Sequence, residues 1–347
     1  MENAIINKES ALIRHLAGNF PRHPGQVNRL LEADAEIIRL DGKEDQFIVL
    51  KTDGIVEEIK TNLYDDPYLV GWMTITAPMS DIAAVGAEPT GVLLSLILPQ
   101  HYNERWIEQF KAGIQDACNT YQTYVLGGDT NFGETFSASA TAVASLKTRR
   151  PRLRSGIKAG DILYITGTPG IGNGYAYYRF FDDFINIQYK PVALLNKGRL
   201  ISKHATACMD TSDGLFPSLS ILSEINQIGF HLITPLEDIL HSAVLPIKHR
   251  SGLPAWMFMA GPHGEYELLF TVPAALQKEF EQSDEAIAMQ PLLLGKAISE
   301  DRLCFSSESL EVDCHPAAIA NLFSEANGDI QTYFQLLLRQ HQTWNVT

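Results

Sequence analysis

The sequence has few cysteines, and their spacing excludes two common kinds of site. Its 347 residues include four of them, Cys118, Cys208, Cys304 and Cys314, and no two have the C-x-x-C spacing of zinc sites. Such scattered cysteines do not suggest a disulfide framework either. We therefore expect reduced cysteines that mostly serve packing.

The sequence also lacks a long apolar run and an excess of positive charge. No stretch approaches the roughly 20 apolar residues that cross a bilayer, and residues 1–4 lack the basic and then apolar pattern of a secretory signal. The net charge of −14, from 27 basic and 41 acidic residues, disfavours a duplex nucleic acid partner. We therefore expect a cytoplasmic protein without a membrane or nucleic acid partner. A nucleotide is compatible with this charge, because divalent cations can bridge carboxylates and a polyphosphate.

The length predicts two domains, since 347 residues exceed one usual domain. The most basic stretch, Lys147 to Arg154, supplies a boundary, so we predict domains over residues 1–148 and 149–347. Two interpretations of its arginines stay open. They form a solvated linker, or one of them reaches back to a phosphate.

Acidic residues recur where predicted strands end or predicted helices begin. The segment Asp210 to Gly214 precedes the apolar-periodic run Leu215 to Ile225, a pattern typical of a polar loop that leads into a helix. The loop is either an N-cap made by Ser212 or Asp213, or a cation site beside N–H groups that can bind an anion. The other acids of this kind are Asp34 and Asp53 on a predicted hairpin, Asp81 on a helix of small residues, and Asp129 after a predicted strand.

This set of acids points to metal-dependent phosphoryl transfer. Clustered carboxylates could not all stay ionised without cations, so we expect bound Mg²⁺. No general base or nucleophile stands out among them, and phosphoryl transfer depends mainly on positioning and on charge neutralisation by metals. For Asp81 the alternative is a carboxylate satisfied by hydrogen bonds to neighbouring backbone.

Two glycine clusters and one polar loop add to this pattern. Gly127-Gly128-Asp129-Thr130 allows close backbone approach to a phosphate, although such a turn also arises by chance. Gly170 to Gly174 lacks the G-x-G-x-x-G spacing of a dinucleotide site. The loop from Gly261 to Glu267 precedes a predicted strand and is a candidate for substrate contact, although His263 alone is more typical of a surface histidine.

Six segments, in this order, resemble the successive motifs of thiamine-monophosphate kinases. These enzymes belong to the ATP-binding superfamily of aminoimidazole ribonucleotide synthetase and selenophosphate synthetase, and the resemblance spans roughly residues 5 to 300. The segments are Thr52 to Gly54, Ser80 to Pro89, Gly127 to Thr130, Arg154 to Asp161, Asp210 to Leu215 and Tyr266 to Phe270.

The resemblance implies an aminoimidazole ribonucleotide synthetase-like fold of two α/β domains. The N-terminal domain would bind ATP and pair in a homodimer, with ATP as co-substrate held through Mg²⁺. No catalytic residue is assigned beyond the metal ligands. The implied metal ligands are Asp34, Thr52, Asp53, Asp81, Asp129, Asp210 and Asp213. The implied ATP contacts are Gly128, Asp129, Arg154 and Ser212, which takes Arg154 out of the linker interpretation.

Three segments depart from the family motifs. The family's Gly-Asp-Asp-Ala appears as Glu32 to Ala35, its thiamine-contacting histidine falls at Lys60, and its Gly-Gly-Glu-Asp-Tyr-Glu-Leu appears as Pro262 to Leu268. The last two lie where the acceptor should bind. The predicted substrate contacts are therefore Lys60, His263, Glu265 and Tyr266.

The expected activity is in-line transfer of the γ-phosphoryl group of ATP to thiamine monophosphate, a small phosphorylated substrate. Two alternatives stay open because of the departures. One is an ATP-dependent synthetase or kinase of the same superfamily with a different acceptor, and the other is a non-catalytic nucleotide-binding relative.

Overall fold

The computed structural model describes residues 7–101, 103–182, 184–308 and 310–345. Residues 1–4, which carry the prediction about a secretory signal, lie outside these ranges. The helices are α1 (Lys8–Ala17), α2 (Val56–Lys60), α3 (Pro67–Val85), α4 (Glu104–Tyr121), α5 (Ile171–Phe180), α6 (Leu195–Ile201), α7 (Leu215–Asn226), α8 (Leu236–Ile239), α9 (Leu245–Ser251), α10 (Gln277–Glu281), α11 (Asp284–Met289), α12 (Ala317–Glu325) and α13 (Ile330–Asn345). The strands are β1 (Glu36–Arg39), β2 (Gln46–Gly54), β3 (Glu88–Pro99), β4 (Val125–Gly133), β5 (Ser137–Lys147), β6 (Ile162–Ile165), β7 (Ala207–Asp210), β8 (Gly229–Leu232), β9 (Leu268–Val272), β10 (Leu292–Ile298), β11 (Leu303–Ser307) and β12 (Leu310–Cys314).

The N-terminal half forms a five-stranded sheet in the order β1-β2-β5-β3-β4. The pairing is antiparallel except between β3 and β4. Helix α3 packs on β2 and β5, and α4 packs on α3. The two helices cross closely because Gly71 and Gly113 have no side chain. A Cβ at either position would lie 2.0 Å from a carbonyl oxygen of the other helix.

Helix α3 is the central element of the N-terminal half. Asp66 caps its start by accepting from Tyr68 N, and Gly86 ends it in the left-handed conformation that favours glycine. Every residue from Leu69 to Val85 is buried, as expected of a helix covered on all sides. Asp81 therefore lies in an apolar helix, where a carboxylate needs a partner.

The opposite face of the five-stranded sheet is open. Along β4 every residue but the last is exposed, and alternate residues of β3 also face outward. On this face Leu126 is 54% exposed, Leu93 43% and Ile97 40%. An exposed apolar sheet face beside an unpaired edge strand is typical of a protein that pairs with another chain.

The C-terminal half forms a seven-stranded sheet in the order β12-β11-β8-β10-β6-β9-β7. It contacts the N-terminal half mainly through α3, which packs against both α6 and β7. A Cβ at Gly198 of α6 would lie 1.9 Å from the carbonyl oxygen of Ala83, so glycine allows this approach. The end of β7 therefore lies beside the helix that carries Asp81.

The predicted elements differ from the structure at β7, the strand that ends at Asp210. The amphipathic pattern of residues 316–340 predicts helical structure with a break at Asn327-Gly328, and α12 and α13 confirm it. The sequence also predicts a helix over residues 197–207. That prediction is wrong at its end, because α6 stops at Ile201 and residues 207–210 form β7, paired with β9. The first sheet ends at Lys147 and the second begins at Ile162, while the domain boundary after residue 148 stays a prediction. Over the described ranges, no helix is long and apolar enough to cross a membrane.

Candidate active site

Three aspartates from different elements meet where the two halves of the chain join. Asp34 precedes β1, Asp81 lies on α3 and Asp210 ends β7. One carboxylate oxygen of each lies within 4.8 Å of the others, and all three residues are buried. Oxygen ligands gathered at this spacing suit a hard divalent cation such as Mg²⁺.

Asp210 is the member of this acid triad that has, among the described residues, a buried carboxylate oxygen without a hydrogen-bond partner. Its Oδ1 accepts a hydrogen bond from the Ser212 hydroxyl at 3.1 Å. Its Oδ2 is buried and has no hydrogen-bond partner within the described ranges. A buried carboxylate oxygen without a donor is costly unless a cation approaches it, so the triad fits a metal.

Two side chains of the protein already supply positive charge to the triad. Arg154 Nη2 lies 2.7 Å from Asp34 Oδ1, and Lys51 Nζ lies 3.1 Å from Asp81 Oδ1. The Arg154 side chain is only 11% exposed, which rules out the solvated-linker interpretation for this residue. Asp210 has no such counter-ion among the described residues.

Burial raises the pKa values of three acids of this site. It raises the pKa of Asp81 well above its usual value, an effect that Lys51 opposes. It also raises the pKa of Asp210 to about 6 and that of Asp213 to about 8, and neighbouring carboxylates add to both shifts. A divalent cation would favour the ionised forms, because opposite charge lowers the pKa of a carboxyl group.

A cavity of about 750 Å³ opens beside the triad and is lined by both halves of the chain. Its volume is sufficient for a nucleotide or a similarly sized ligand. The predicted site residues that line it are Asp34, Thr52, Asp53, Asp81, Arg154, Ser212, Asp213, His263 and Tyr266. Asp210 reaches the same place through its proximity to Asp34 and Asp81.

The loops 210–214 and 261–267 lie side by side at one edge of the second sheet. Asp210 pairs with Leu268, so β7 ends where β9 begins. Thr211 N donates to the Glu267 carbonyl at 2.9 Å, and Gly264 N donates to the Ser212 carbonyl at 2.8 Å. A Cβ at position 264 would lie 1.6 Å from the Thr211 carbonyl oxygen, so this contact requires glycine.

The start of α7 decides between the two interpretations of the 210–214 loop. Gly214 occupies the N-cap position, and among the described residues no side chain accepts a hydrogen bond there. The N-cap interpretation of Ser212 and Asp213 is therefore wrong. Both residues line the cavity instead, which is the position the cation-site interpretation requires.

Three predicted ligands face away from the triad or lie far from it. Thr52 lines the cavity, but its hydroxyl contacts that of Thr141 at 2.8 Å, on the open face of the sheet, and not the triad. Gly128 and Asp129 lie on the exposed edge strand β4. The pairing runs from Asp53 through Ala140 and Leu94 to Gly128. Asp53 and Gly128 are therefore separated by three strand spacings, or about 14 Å. Within one copy of the chain, Asp129 therefore does not join the triad, and its role stays a prediction.

Residues that the sequence reasoning missed also line the cavity. Lys51 shares a strand face with Asp53, and the alternation of buried Phe47 and Val49 could have indicated this. Glu58 and Tyr64 also line the cavity, but no periodicity marks them. Burial, with smaller contributions from Glu57 and Asp53, raises the pKa of Glu58 to about 7.

Comparison with known proteins agrees with this architecture. A family model described as AIR synthase related protein, N-terminal domain, matches residues 32–146. The thiamine-monophosphate kinase of Methanocaldococcus jannaschii is 32% identical over 266 residues, which cover 70% of this chain and 79% of that protein. This chain belongs to the thiamine-monophosphate kinase family. The family resemblance drawn from the motifs is confirmed.

Solved structures share the fold of this thiamine-monophosphate kinase family member. AaThiL complexed with AMPPCP and TMP has a TM-score of 0.68 at 23% identity and covers 84% of this chain and 90% of its own. Escherichia coli HypE, a hydrogenase maturation protein, has a TM-score of 0.65 at 16% identity, with coverages of 80% and 88%. At these identities the likeness shows the fold alone. The predicted α/β fold of the aminoimidazole ribonucleotide synthetase type is confirmed.

The positions that depart from the thiamine-monophosphate kinase motifs have different surroundings. Lys60 is exposed at the end of α2 and does not line the cavity. Glu265 is buried, and its Oε2 accepts from Gly170 N at 3.0 Å. Burial raises the pKa of Glu265 to about 8 and lowers the pKa of His263 to about 4, so the imidazole is neutral at physiological pH. Of the four predicted substrate contacts, His263 and Tyr266 therefore lie at the cavity.

Proposed function

We propose that this protein transfers the γ-phosphoryl group of ATP to thiamine monophosphate and forms thiamine diphosphate. The observation that carries the proposal is the acid triad at the wall of a cavity formed by both halves of the chain, with an unpartnered oxygen on Asp210. The family membership supports the reaction, and a related structure binds both AMPPCP and TMP. The cytoplasmic location, which rests on sequence alone, is part of this proposal.

Asp34, Asp81 and Asp210 would hold Mg²⁺, with Asp53 and Asp213 lining the same cavity. Bound Mg²⁺ supplies neutralisation of the charge on the transferring phosphoryl group. The guanidinium of Arg154 lies at the cavity wall and would contact a phosphate oxygen. Ser212 would donate its hydroxyl to the nucleotide.

The reaction breaks the bond between the γ-phosphorus and the β,γ-bridging oxygen of ATP and forms a bond from that phosphorus to an acceptor phosphate oxygen. ADP takes up the electron pair of the broken bond. A phosphate monoester is already largely ionised at pH 7, since its second pKa is about 6. It attacks as an oxyanion, so the reaction needs no general base.

Part of the cavity lining suits the organic part of thiamine monophosphate. Tyr64, Tyr266 and Glu58 line it, and no lysine or arginine in the described part of the chain pairs with Glu58. The face of an aromatic ring and a carboxylate both attract a cationic ring such as the thiazolium of thiamine. Tyr189 stacks on Tyr64 with 6.2 Å between ring centroids, which holds the ring in place.

A second candidate function keeps the nucleotide site and changes the acceptor. The exposed position of Lys60, where the family motif has a thiamine-contacting histidine, favours it. Mg²⁺-dependent ATP turnover measured across thiamine monophosphate, other phosphorylated heterocycles and small acids separates the two. We expect turnover with thiamine monophosphate alone. Turnover with another acceptor and none with thiamine monophosphate would replace the first proposal by the second.

We further propose that a second copy of the chain covers the open face of the five-stranded sheet. The apolar exposure of Leu93, Ile97 and Leu126 supports this homodimer, as does the unpaired edge of β4. The partner would place the edge strand with Gly128 and Asp129 in the interface, which offers these residues a role that one copy alone does not.

The variant Leu93→Asp is expected to be monomeric, because it places a charge in the proposed apolar interface. Light scattering after gel filtration should give twice the chain mass for the wild type and one chain mass for the variant. Ile287→Asp is a matched control, since Ile287 is 62% exposed on α11 of the other half. A monomeric wild type would contradict the dimer without bearing on the kinase proposal.

Glu58→Gln is expected to make the protein more stable at pH 8 by about 1 to 2 kcal/mol. Folding raises the pKa of Glu58 from 4.5 to about 7, so the folded state binds this proton more tightly. The stability of the wild type should therefore fall as pH rises from about 4.5 to about 7, and the variant lacks this loss. Urea unfolding at pH 5 and pH 8 measures the difference in free energy of unfolding between the variant and the wild type. The control is Glu57→Gln, since Glu57 is exposed and adjacent in sequence. Equal stabilities of variant and wild type at pH 8 would contradict the prediction.

A further inference from the structure

Lys51 contacts one aspartate of the predicted cation site. It is on the face of β2 that also carries Phe47, Val49 and Asp53, and this face is directed at α3. Its Nζ lies 3.1 Å from Asp81 Oδ1, and its side chain is 27% exposed at the cavity wall. A protein cation therefore occupies coordination space on one of the three aspartates.

The two internal cations of the triad differ in how firmly they are held. Arg154 is anchored by Asp34 at 2.7 Å and by the Leu31 carbonyl at 3.5 Å, with a side chain 11% exposed. For Lys51, Asp81 is the only carboxylate paired with it in the part of the chain that the structure describes. Its flexible four-carbon stem lets the ammonium turn within the cavity. Of these two side chains, Lys51 is therefore the one that a metal ion can displace from its aspartate.

We propose that Lys51 is an internal counter-ion that competes with the divalent cation for Asp81 and, once displaced, contacts the polyphosphate. This inference rests on the metal-dependent nucleotide site of the proposed function. Lys51 then has two successive roles, one before and one after the metal binds. Without metal, Lys51 neutralises Asp81 and lowers the metal affinity of the site. With metal and nucleotide bound, the same charge is available to the transferring phosphoryl group.

The test measures Mn²⁺ binding to nucleotide-free protein through the electron paramagnetic resonance signal of free Mn²⁺. Lys51→Met is expected to bind Mn²⁺ about tenfold more tightly than the wild type, because the competing charge is gone. Its kcat for ATP-dependent transfer is expected to fall about a hundredfold. Lys51→Arg keeps the charge, so its Mn²⁺ affinity should not exceed that of the wild type.

Lys248→Met is the matched control. Lys248 pairs with Glu308 at 2.7 Å and is 18% exposed, but it lies outside the cavity. This variant should leave both Mn²⁺ affinity and kcat unchanged. If Lys51→Met does not fold, as judged by its melting transition, Lys51→Gln replaces it with the same expectation.

Unchanged or weaker Mn²⁺ binding in the folded neutral variant overturns the proposal, whatever happens to kcat. Tighter binding with unchanged kcat overturns the phosphate contact and leaves the competition in place. The Mn²⁺ measurement contains no acceptor, so a failure of the kinase proposal shows separately. In that case the wild type makes no thiamine diphosphate, while the variants still differ in Mn²⁺ affinity.

Discussion

Replacing Asp210 by asparagine is expected to lower kcat/KM for ATP-dependent phosphoryl transfer by about three orders of magnitude or more. Asparagine keeps the size of the side chain but removes the negative charge, and Asp210 carries the one triad oxygen that is buried without a partner. The loss should come from kcat as well as from the apparent affinity for Mg²⁺, because charge neutralisation acts in the transition state.

The same substitution should not weaken the fold. In the presence of a chelator, Asp210→Asn removes a buried charge that no cation compensates, so its melting temperature should equal or exceed that of the wild type. Activity and stability then change in opposite directions, which a merely structural residue would not produce. Steady-state kinetics over a range of Mg²⁺ and thermal melts with chelator measure the two effects.

Asp161→Asn is the matched control for Asp210→Asn. Asp161 is also buried at 6% exposure, but its carboxylate accepts from Lys158 N at 3.1 Å and lies away from the cavity. Its activity should remain close to that of the wild type. An Asp210→Asn enzyme within tenfold of wild-type activity would contradict the assignment of Asp210 to the cation site.

Arg154→Met is expected to reduce the free energy of unfolding by about 3 kcal/mol, because it leaves the carboxylate of Asp34 buried and unpaired. The ion pair is short, at 2.7 Å, and the Asp34 side chain is 1% exposed. ATP affinity should fall as well, since Arg154 lines the cavity. Urea unfolding and calorimetry with a non-hydrolysable ATP analogue measure the two effects.

A double variant separates the lost ion pair from general disruption. Arg154→Met combined with Asp34→Asn should regain much of the lost stability, because the unpaired charge is gone. Arg302→Met is the control, since Arg302 pairs with Asp313 at 2.6 Å on the surface and should show no measurable loss. If Arg154→Met is as stable as Arg302→Met, the buried pair does not hold the triad in place.

The sequence predicted the individual acids of the site better than their arrangement. Asp34, Asp81 and Asp210 each follow from local rules, since acids at strand ends and in small-residue helices are unusual enough to notice. Their meeting within 4.8 Å depends on how α3 packs against β7, which are far apart in the chain. No local pattern encodes such a contact.

The errors have the same origin. β7 has four residues, too few for an alternation to appear, and its pairing with β9 comes from 60 residues further along the chain. The motif Gly128-Asp129 looked equivalent to the other acid motifs, yet the sheet order places it three strands from Asp53. Lys51 follows an apolar strand segment that does not mark it as a site residue, although it lies two positions before Asp53 and so on the same face of β2. Sequence gives the residue types of a site, while sheet topology decides which of them meet.

Transfer of radioactive label from [γ-³²P]ATP tests the central claim most directly. With wild-type protein, Mg²⁺ and thiamine monophosphate, we predict that the label appears in thiamine diphosphate, and that Asp210→Asn or a chelator abolishes this product. Label found only in inorganic phosphate, or in no product at all under these conditions, would contradict the proposed kinase activity.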